Sequence, residues 1–194
     1  MFRRMTLSAI LGGLILTASC AEAPKEEEAP APKAAAPKVE GPFYELTKDD
    51  VTSHPDWTSM NLKLKGARIG EKTTAVEKNL GKVDKTEPVG TEFYRPIFEK
   101  SRFAVYTFQM SGELQKFEIY SYMADQIADP KFKKLLTGGD LEYMRMAFGM
   151  EEGAEINPNT SAMEYFYDAK GFRFAKYSTA GNKVNSLVFS KIKK

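Results

Sequence analysis

Gly70-Glu71-Lys72-Thr73-Thr74-Ala75-Val76-Glu77-Lys78-Asn79-Leu80-Gly81 and Gly138-Gly139-Asp140-Leu141-Glu142-Tyr143-Met144-Arg145-Met146-Ala147-Phe148-Gly149 share one pattern. Each opens on Gly, places apolar residues six and ten positions later (Val76 and Leu80; Met144 and Phe148) and closes on Gly, at an offset of 68 residues. A fixed offset is the mark of an internal repeat. Helix-favouring interiors, a single apolar stripe and a closing Gly predict a short helix in both stretches. Asp140 is placed to cap the second.

The chain beyond each helix also matches. After Gly81 come a polar loop, Glu92-Phe93-Tyr94, a run from Phe103 to Met110, the turn Ser111-Gly112 and a run from Leu114 to Tyr122. After Gly149 come a polar loop, Met163 to Tyr167, the turn Asp168-Ala169-Lys170-Gly171, Phe172 to Tyr177, a turn at Gly181-Asn182 and Val184 to Phe189. Aromatic-rich, mostly alternating runs bounded by turn residues read as antiparallel strands. Each half is thus a helix followed by about three strands. The expected fold class is α+β: two helix-plus-strand repeats, residues 43–125 and 126–194, joining into one curved sheet with helices on one face.

The first half, from Arg68-Ile69-Gly70 through Leu80-Gly81-Lys82-Val83-Asp84, resembles the signature of the SmpA/OmlA family of small outer-membrane lipoproteins. Ile69, Gly70, Val76, Leu80, Gly81 and Asp84 carry the match, and Val83 stands where the family has Pro. The second half keeps the spacing without the Pro-Asp ending. Tandem copies of such a unit resemble the fold of the β-lactamase inhibitory protein. The resemblance implies a non-enzymatic envelope role. One branch of these families serves outer-membrane β-barrel assembly, and inhibitor-like members bind partner proteins across a concave sheet.

Outward from the repeats, residues 21–40 contain only Ala, Glu, Pro, Lys and one Val. Nothing there can be buried to offset the entropy of ordering, so residues 20–42 read as a flexible linker behind the residue that starts it. At about 3 Å per residue it would reach roughly 60 Å. Ahead of it, Arg3-Arg4, an apolar run from Leu7 to Leu16 and the small residues Ala18-Ser19 have the order of a secretory signal over residues 1–19. The apolar run is too short for a membrane span, which needs roughly 20 residues.

Leu16-Thr17-Ala18-Ser19-Cys20 resembles the lipobox of bacterial lipoproteins, with Thr17 where Leu is usual. That resemblance implies cleavage before Cys20, acylation of Cys20 with chains such as palmitate, and an anchored envelope protein. Ala21, rather than Asp, implies the outer membrane by the enterobacterial rule. Cys20 is the single cysteine of the chain, so an intramolecular disulfide is excluded.

Removing Arg3 and Arg4 leaves 26 basic residues against 26 acidic ones. A neutral chain gives no electrostatic basis for nucleic-acid binding. Catalytic material is sparse. His54, the only histidine, lies in Thr52-Ser53-His54-Pro55-Asp56-Trp57; it could pair with Asp56 as a base, but a polar loop residue is the expectation. No serine-hydrolase elbow, phosphate loop or zinc motif is present. Cofactors and metal sites are not expected. Glu151-Glu152-Gly153-Ala154-Glu155 lacks the ligand order of a calcium loop and reads as a solvated loop. Asp168 reads as a turn former.

The aromatic strands are the better candidate for function. Strand residues two apart share a face, so Tyr120 pairs with Tyr122 and Tyr165 with Tyr167. If those rings lie away from the helices, they form a tyrosine-rich surface suited to protein contact. The expectation is a non-enzymatic, lipid-anchored interaction module that presents Tyr120, Tyr122, Tyr165 and Tyr167 to an envelope protein partner. An anchored inhibitor or ligand-binding protein of an envelope or secreted hydrolase is the alternative.

Overall fold

The computed structural model describes residues 41–100, 104–158, 160–176 and 183–192. All lie in one unit, Lys38–Lys194. The signal segment, Cys20 and the linker as far as residue 40 fall outside the described residues.

The unit opens with a small sheet of β1 (Tyr44–Glu45), β2 (Leu62–Leu64) and β3 (Ala67–Arg68). The β2–β3 turn uses positive φ at Lys65 and Gly66. Glu45 holds it, its carboxylate accepting from the backbone N–H of Lys65 at 2.8 Å and of Gly66 at 2.9 Å. Then come α1 (Thr73–Leu80) and four strands, β4 (Val83–Val89), β5 (Phe93–Phe98), β6 (Val105–Gln109) and β7 (Leu114–Tyr120). A 3-10 segment, Ser121–Gln126, leads to α2 (Pro130–Gly138) and α3 (Leu141–Phe148). Four more strands follow, β8 (Gly153–Ile156), β9 (Met163–Tyr167), β10 (Phe172–Lys176) and β11 (Ser186–Ser190).

The architecture is mixed α+β, with one large antiparallel sheet and few helices. The eight strands run β4-β5-β6-β7-β11-β10-β9-β8. Two four-stranded meanders therefore meet at their last strands, and the earliest strand of each, β4 and β8, lies at an edge.

The two glycine-bounded helices form as expected. Gly81 and Gly149 stop α1 and α3 at φ 81° and 87°, a region open to Gly because it has no Cβ. Asp140 caps α3, accepting from Tyr143 N–H at 2.8 Å.

Two expectations are corrected. The polar loops after Gly81 and Gly149 contain strands β4 and β8, so each half gives four strands to the large sheet. An edge strand has one paired neighbour and little to bury, so it need not alternate apolar and polar residues. Helix α2 was not anticipated. Asp129 starts it, accepting from Lys131 N–H at 2.9 Å and Phe132 N–H at 2.8 Å, with Pro130 at the first helical position.

Directly paired residues of neighbouring strands share a sheet face. Tyr167, Phe172, Phe189, Phe117 and Tyr106 follow one another across β9, β10, β11, β7 and β6. All five are buried in a single core. Helix α2 rests on this face through Phe132, edge-on to Phe172 and Phe189 at 5.4 and 5.3 Å. Helix α3 adds Phe148, 5.6 Å from Phe172. Helix α1 adds Val76 and Leu80 to the same core, and Trp57 from the N-terminal segment meets Phe132, Phe148 and Phe172. At Gly171 (φ +64°) a Cβ would lie 2.0 Å from Ser59 Oγ and 2.6 Å from Ser190 O, so only Gly lets these segments meet.

Candidate functional site

The opposite parity of each strand forms the sheet's second face. Pairing sets Glu118 beside Val105 and Val188, Ser186 beside Tyr120 and Ala175, and Arg173 beside Val188 and Phe166. The helices and Trp57 lie on the other side, packed on the core.

Among the described residues no helix covers this second, helix-free face, and it is polar at its centre. Ser186 is fully buried and its Oγ donates to Glu118 Oε1 at 2.7 Å. Thr107 is 3% exposed, and its Oγ1 has no hydrogen-bond partner among the described residues. Toward β8, Arg173 reaches Glu155 at 2.6 Å, Asp168 at 3.4 Å and Glu164 at 3.6 Å. Its guanidinium also lies 4.9 Å from the Phe166 ring centre, an additional cation–π attraction. Phe166 lies across Gly153, where a Cβ would stand 2.4 Å from the ring. Toward β4, Phe93, Arg95 and Ile97 alternate with the core-facing Tyr94, Pro96 and Phe98. Beside them, at the end of the β4–β5 hairpin, Thr86, Pro88, Phe93, Tyr94 and Met110 help line a shallow pocket of about 380 Å³.

The four tyrosines divide. Register puts Tyr120 opposite Ser186 on the helix-free face, where its ring stacks on Tyr122 at 5.8 Å and 7°. Tyr122, in the 3-10 segment after β7, is 75% exposed. Tyr165 and Tyr167 do share a face, but it is the core face, which corrects the expectation that they are presented. Tyr165 is half-buried and stacks on Phe174 at 4.9 Å. Tyr167 is 6% exposed, stacks on Phe172, and donates its hydroxyl to Gly149 O at 2.7 Å. The physical reason is the hairpin register: Tyr165 and Tyr167 stand opposite Phe174 and Phe172, whose faces the helices cover. The ring that β9 presents is Phe166. The alternation of Phe172, Arg173 and Phe174 was the readable signal for it.

Burial raises the Tyr167 phenol to about 12, with the Glu151 carboxylate adding to the rise and Arg145 opposing it. Arg145 donates to both oxygens of Glu151, with Nε at 2.9 Å, and this pair holds Glu151 below the usual carboxylate range. Glu152 accepts from Ala169 N–H at 3.1 Å and Glu155 binds Arg173. The three carboxylates of that acidic stretch thus point to three separate partners, and Glu155 lies in a strand rather than a loop. Among the described residues no three His, Cys, Asp or Glu side chains come together as metal ligands. His54 stacks on Tyr44 at 4.3 Å, and Asp56 accepts from the Tyr44 hydroxyl at 3.0 Å. No described helix is long and apolar enough to cross a membrane.

No protein-family model matches the chain, and no curated protein matches it. Among solved structures it is similar to a DUF4309 family protein (YjgB) from Bacillus subtilis, with 13% identity, 66% of this chain and 84% of that one covered, and a TM-score of 0.45. It is also similar to a cysteine-rich secretory protein (SAV1118) from Staphylococcus aureus, with 12% identity, 77% and 50% covered, and a TM-score of 0.42. The chain thus spans half of the staphylococcal protein's length.

Proposed function

We propose that this chain is a lipid-anchored protein of the bacterial envelope, acylated at Cys20, whose α+β region is a non-enzymatic protein-interaction module of two SmpA/OmlA-like halves. The observation that carries the interaction reading is the division of the sheet. One face is filled by helices and rings, and the other mixes Phe166, Tyr120, Tyr122 and Arg173 with charged and partnerless polar groups. Aromatic and Arg side chains among polar ones are the composition of protein interfaces. The mirrored strand order supports the repeat, and buried polar residues at the centre of the helix-free face support a curved sheet. The outer membrane is the proposed site, with an assembly or integrity role; the lipobox and Ala21 support it.

The test is cross-linking in native membranes with the full chain, comparing wild type with Phe166→Ala and Tyr122→Ala. Capture of outer-membrane assembly components, weakened about fivefold or more by at least one variant, is expected for an important interface residue. Capture of a single hydrolase would instead favour an anchored inhibitor. Capture indifferent to both variants would move the interface off this face.

A further inference from the structure

On β5, β6 and β7 the helix-free face carries a row of three residues. Thr107 pairs directly with Lys116. Tyr94 pairs with Phe108; Arg95 is the next residue of β5 and Thr107 the preceding residue of β6, both on the opposite parity. The row therefore reads Arg95, Thr107, Lys116, with the directly paired Thr107 and Lys116 about 5 Å apart at Cβ.

Within this row, polar groups lack partners. Thr107 Oγ1 and Arg95 Nε are both buried without a hydrogen bond among the described residues. Neither Arg95 nor Lys116 forms an ion pair with a described carboxylate. Glu87, directly opposite Arg95 on β4, is held by Lys85 at 3.0 Å. Glu118, two residues from Lys116, accepts from Ser186. Arg173, in the same sheet, is surrounded by three acids. Buried polar groups are normally paired, and leaving one unpaired costs free energy. Two cations beside a buried hydroxyl form a donor-rich cradle whose complement is an anion, and the planar fork of Arg suits a carboxylate.

We infer that Arg95, Thr107 and Lys116 form a subsite that receives a carboxylate side chain, Asp or Glu, from a partner protein. This rests on the interaction-module reading and specifies the chemistry of the partner. Phe93, on the same face two residues before Arg95, offers apolar contact beside the charge.

The probe is a fluorescein-labelled hexaglutamate peptide, titrated against the full chain in detergent and followed by anisotropy. Saturable binding is expected. Arg95→Gln and Lys116→Gln should each weaken it roughly two- to fivefold, the range for a part-exposed charge pair. Lys134→Gln, on the exposed side of α2 and away from the row, should change it less than either. Thr107→Val provides the sharper test. It removes a partnerless buried hydroxyl, so the protein should be as stable as wild type or more stable, while hexaglutamate binding falls. A hydroxyl with a purely structural role would leave binding unchanged. The proposal is overturned if hexaglutamate fails to bind, if Lys134→Gln weakens it as much as Arg95→Gln, or if equimolar inorganic phosphate displaces it. Failure here with membrane cross-linking still sensitive to Phe166→Ala would remove the subsite and keep the module. Peptide binding at the row without any native capture would do the reverse.

Discussion

Tyr167 shows how a single ring can report on packing and charge together. Its hydroxyl serves Gly149 O at the stop of α3, and its ring fills the core between Phe148 and Phe172. Replacing it with Phe keeps the ring and deletes the donor, which should cost about 1 kcal/mol near neutral pH. At high pH the order should change. The folded phenol titrates near 12 rather than 10 because it is buried, so the unfolded chain loses this proton first. Its contribution is complete below pH 10 and is lost as pH rises toward 12. Two pH units at about 1.4 kcal/mol each set a ceiling near 3 kcal/mol. Urea unfolding of wild type and Tyr167→Phe from pH 8 to 11.5 should show the gap closing above pH 10; a constant gap would mean that the phenol is not shielded. The orientation of this residue was only half legible. Met163-Glu164-Tyr165-Phe166-Tyr167 carries rings on both parities, so alternation within β9 cannot choose a face. The choice is made across the hairpin by Phe172 and Phe174.

Elements show the same division between local and long-range information. Helix α3 was legible because its cap, stripe and stop are contiguous: Asp140, Met144 and Gly149. Helix α2 carries an equally local start in Asp129-Pro130, but it precedes the glycine-bounded stretch that repeats and has no counterpart in the first half. Strands β4 and β8 were illegible for a different reason. Their place at the edges leaves most of their side chains exposed, so pairing alone makes them strands. The cap of α2 is also a tie between elements. Asp129 is fully buried; its Oδ1 accepts from Lys131 and Phe132, while Oδ2 accepts from Thr52 N–H at 2.6 Å. Asp129→Ala leaves three backbone donors without this acceptor and should cost 2 kcal/mol or more, about one for the cap and the rest for the tie. Asp129→Asn can keep the cap through Oδ1 but turns an amide donor toward Thr52 N–H. Its loss should be intermediate. Denaturant melts of the two variants, read by far-UV dichroism, check that ranking; equal losses would mean that the Thr52 contact contributes nothing.

At the scale of the whole molecule, the change of composition at Gly41 was legible because it is a matter of residue types alone. The strand order was legible only as two runs of strands, since which strands join the halves is fixed by packing at β7 and β11. That seam determines whether the unit Lys38–Lys194 behaves as one body or two. Across it, Phe117 and Phe189 are 5.2 Å apart, and Phe189 is in turn 5.2 Å from Phe172 and 5.3 Å from Phe132. Phe189 therefore touches a strand of the first meander, a strand of the second and helix α2. A core shared in this way should unfold in a single cooperative step. Phe189→Ala should cost about 3–5 kcal/mol, the range for emptying a buried aromatic site. The loss should fall on both halves at once. Trp57 fluorescence reports the cluster of Phe132, Phe148 and Phe172, whereas far-UV dichroism reports all eight strands. The two signals should keep coincident midpoints in wild type and move down together in Phe189→Ala. A variant in which the Trp57 signal melts first while much of the dichroism survives would mean that the first meander stands without the second, and that the seam joins two separable bodies.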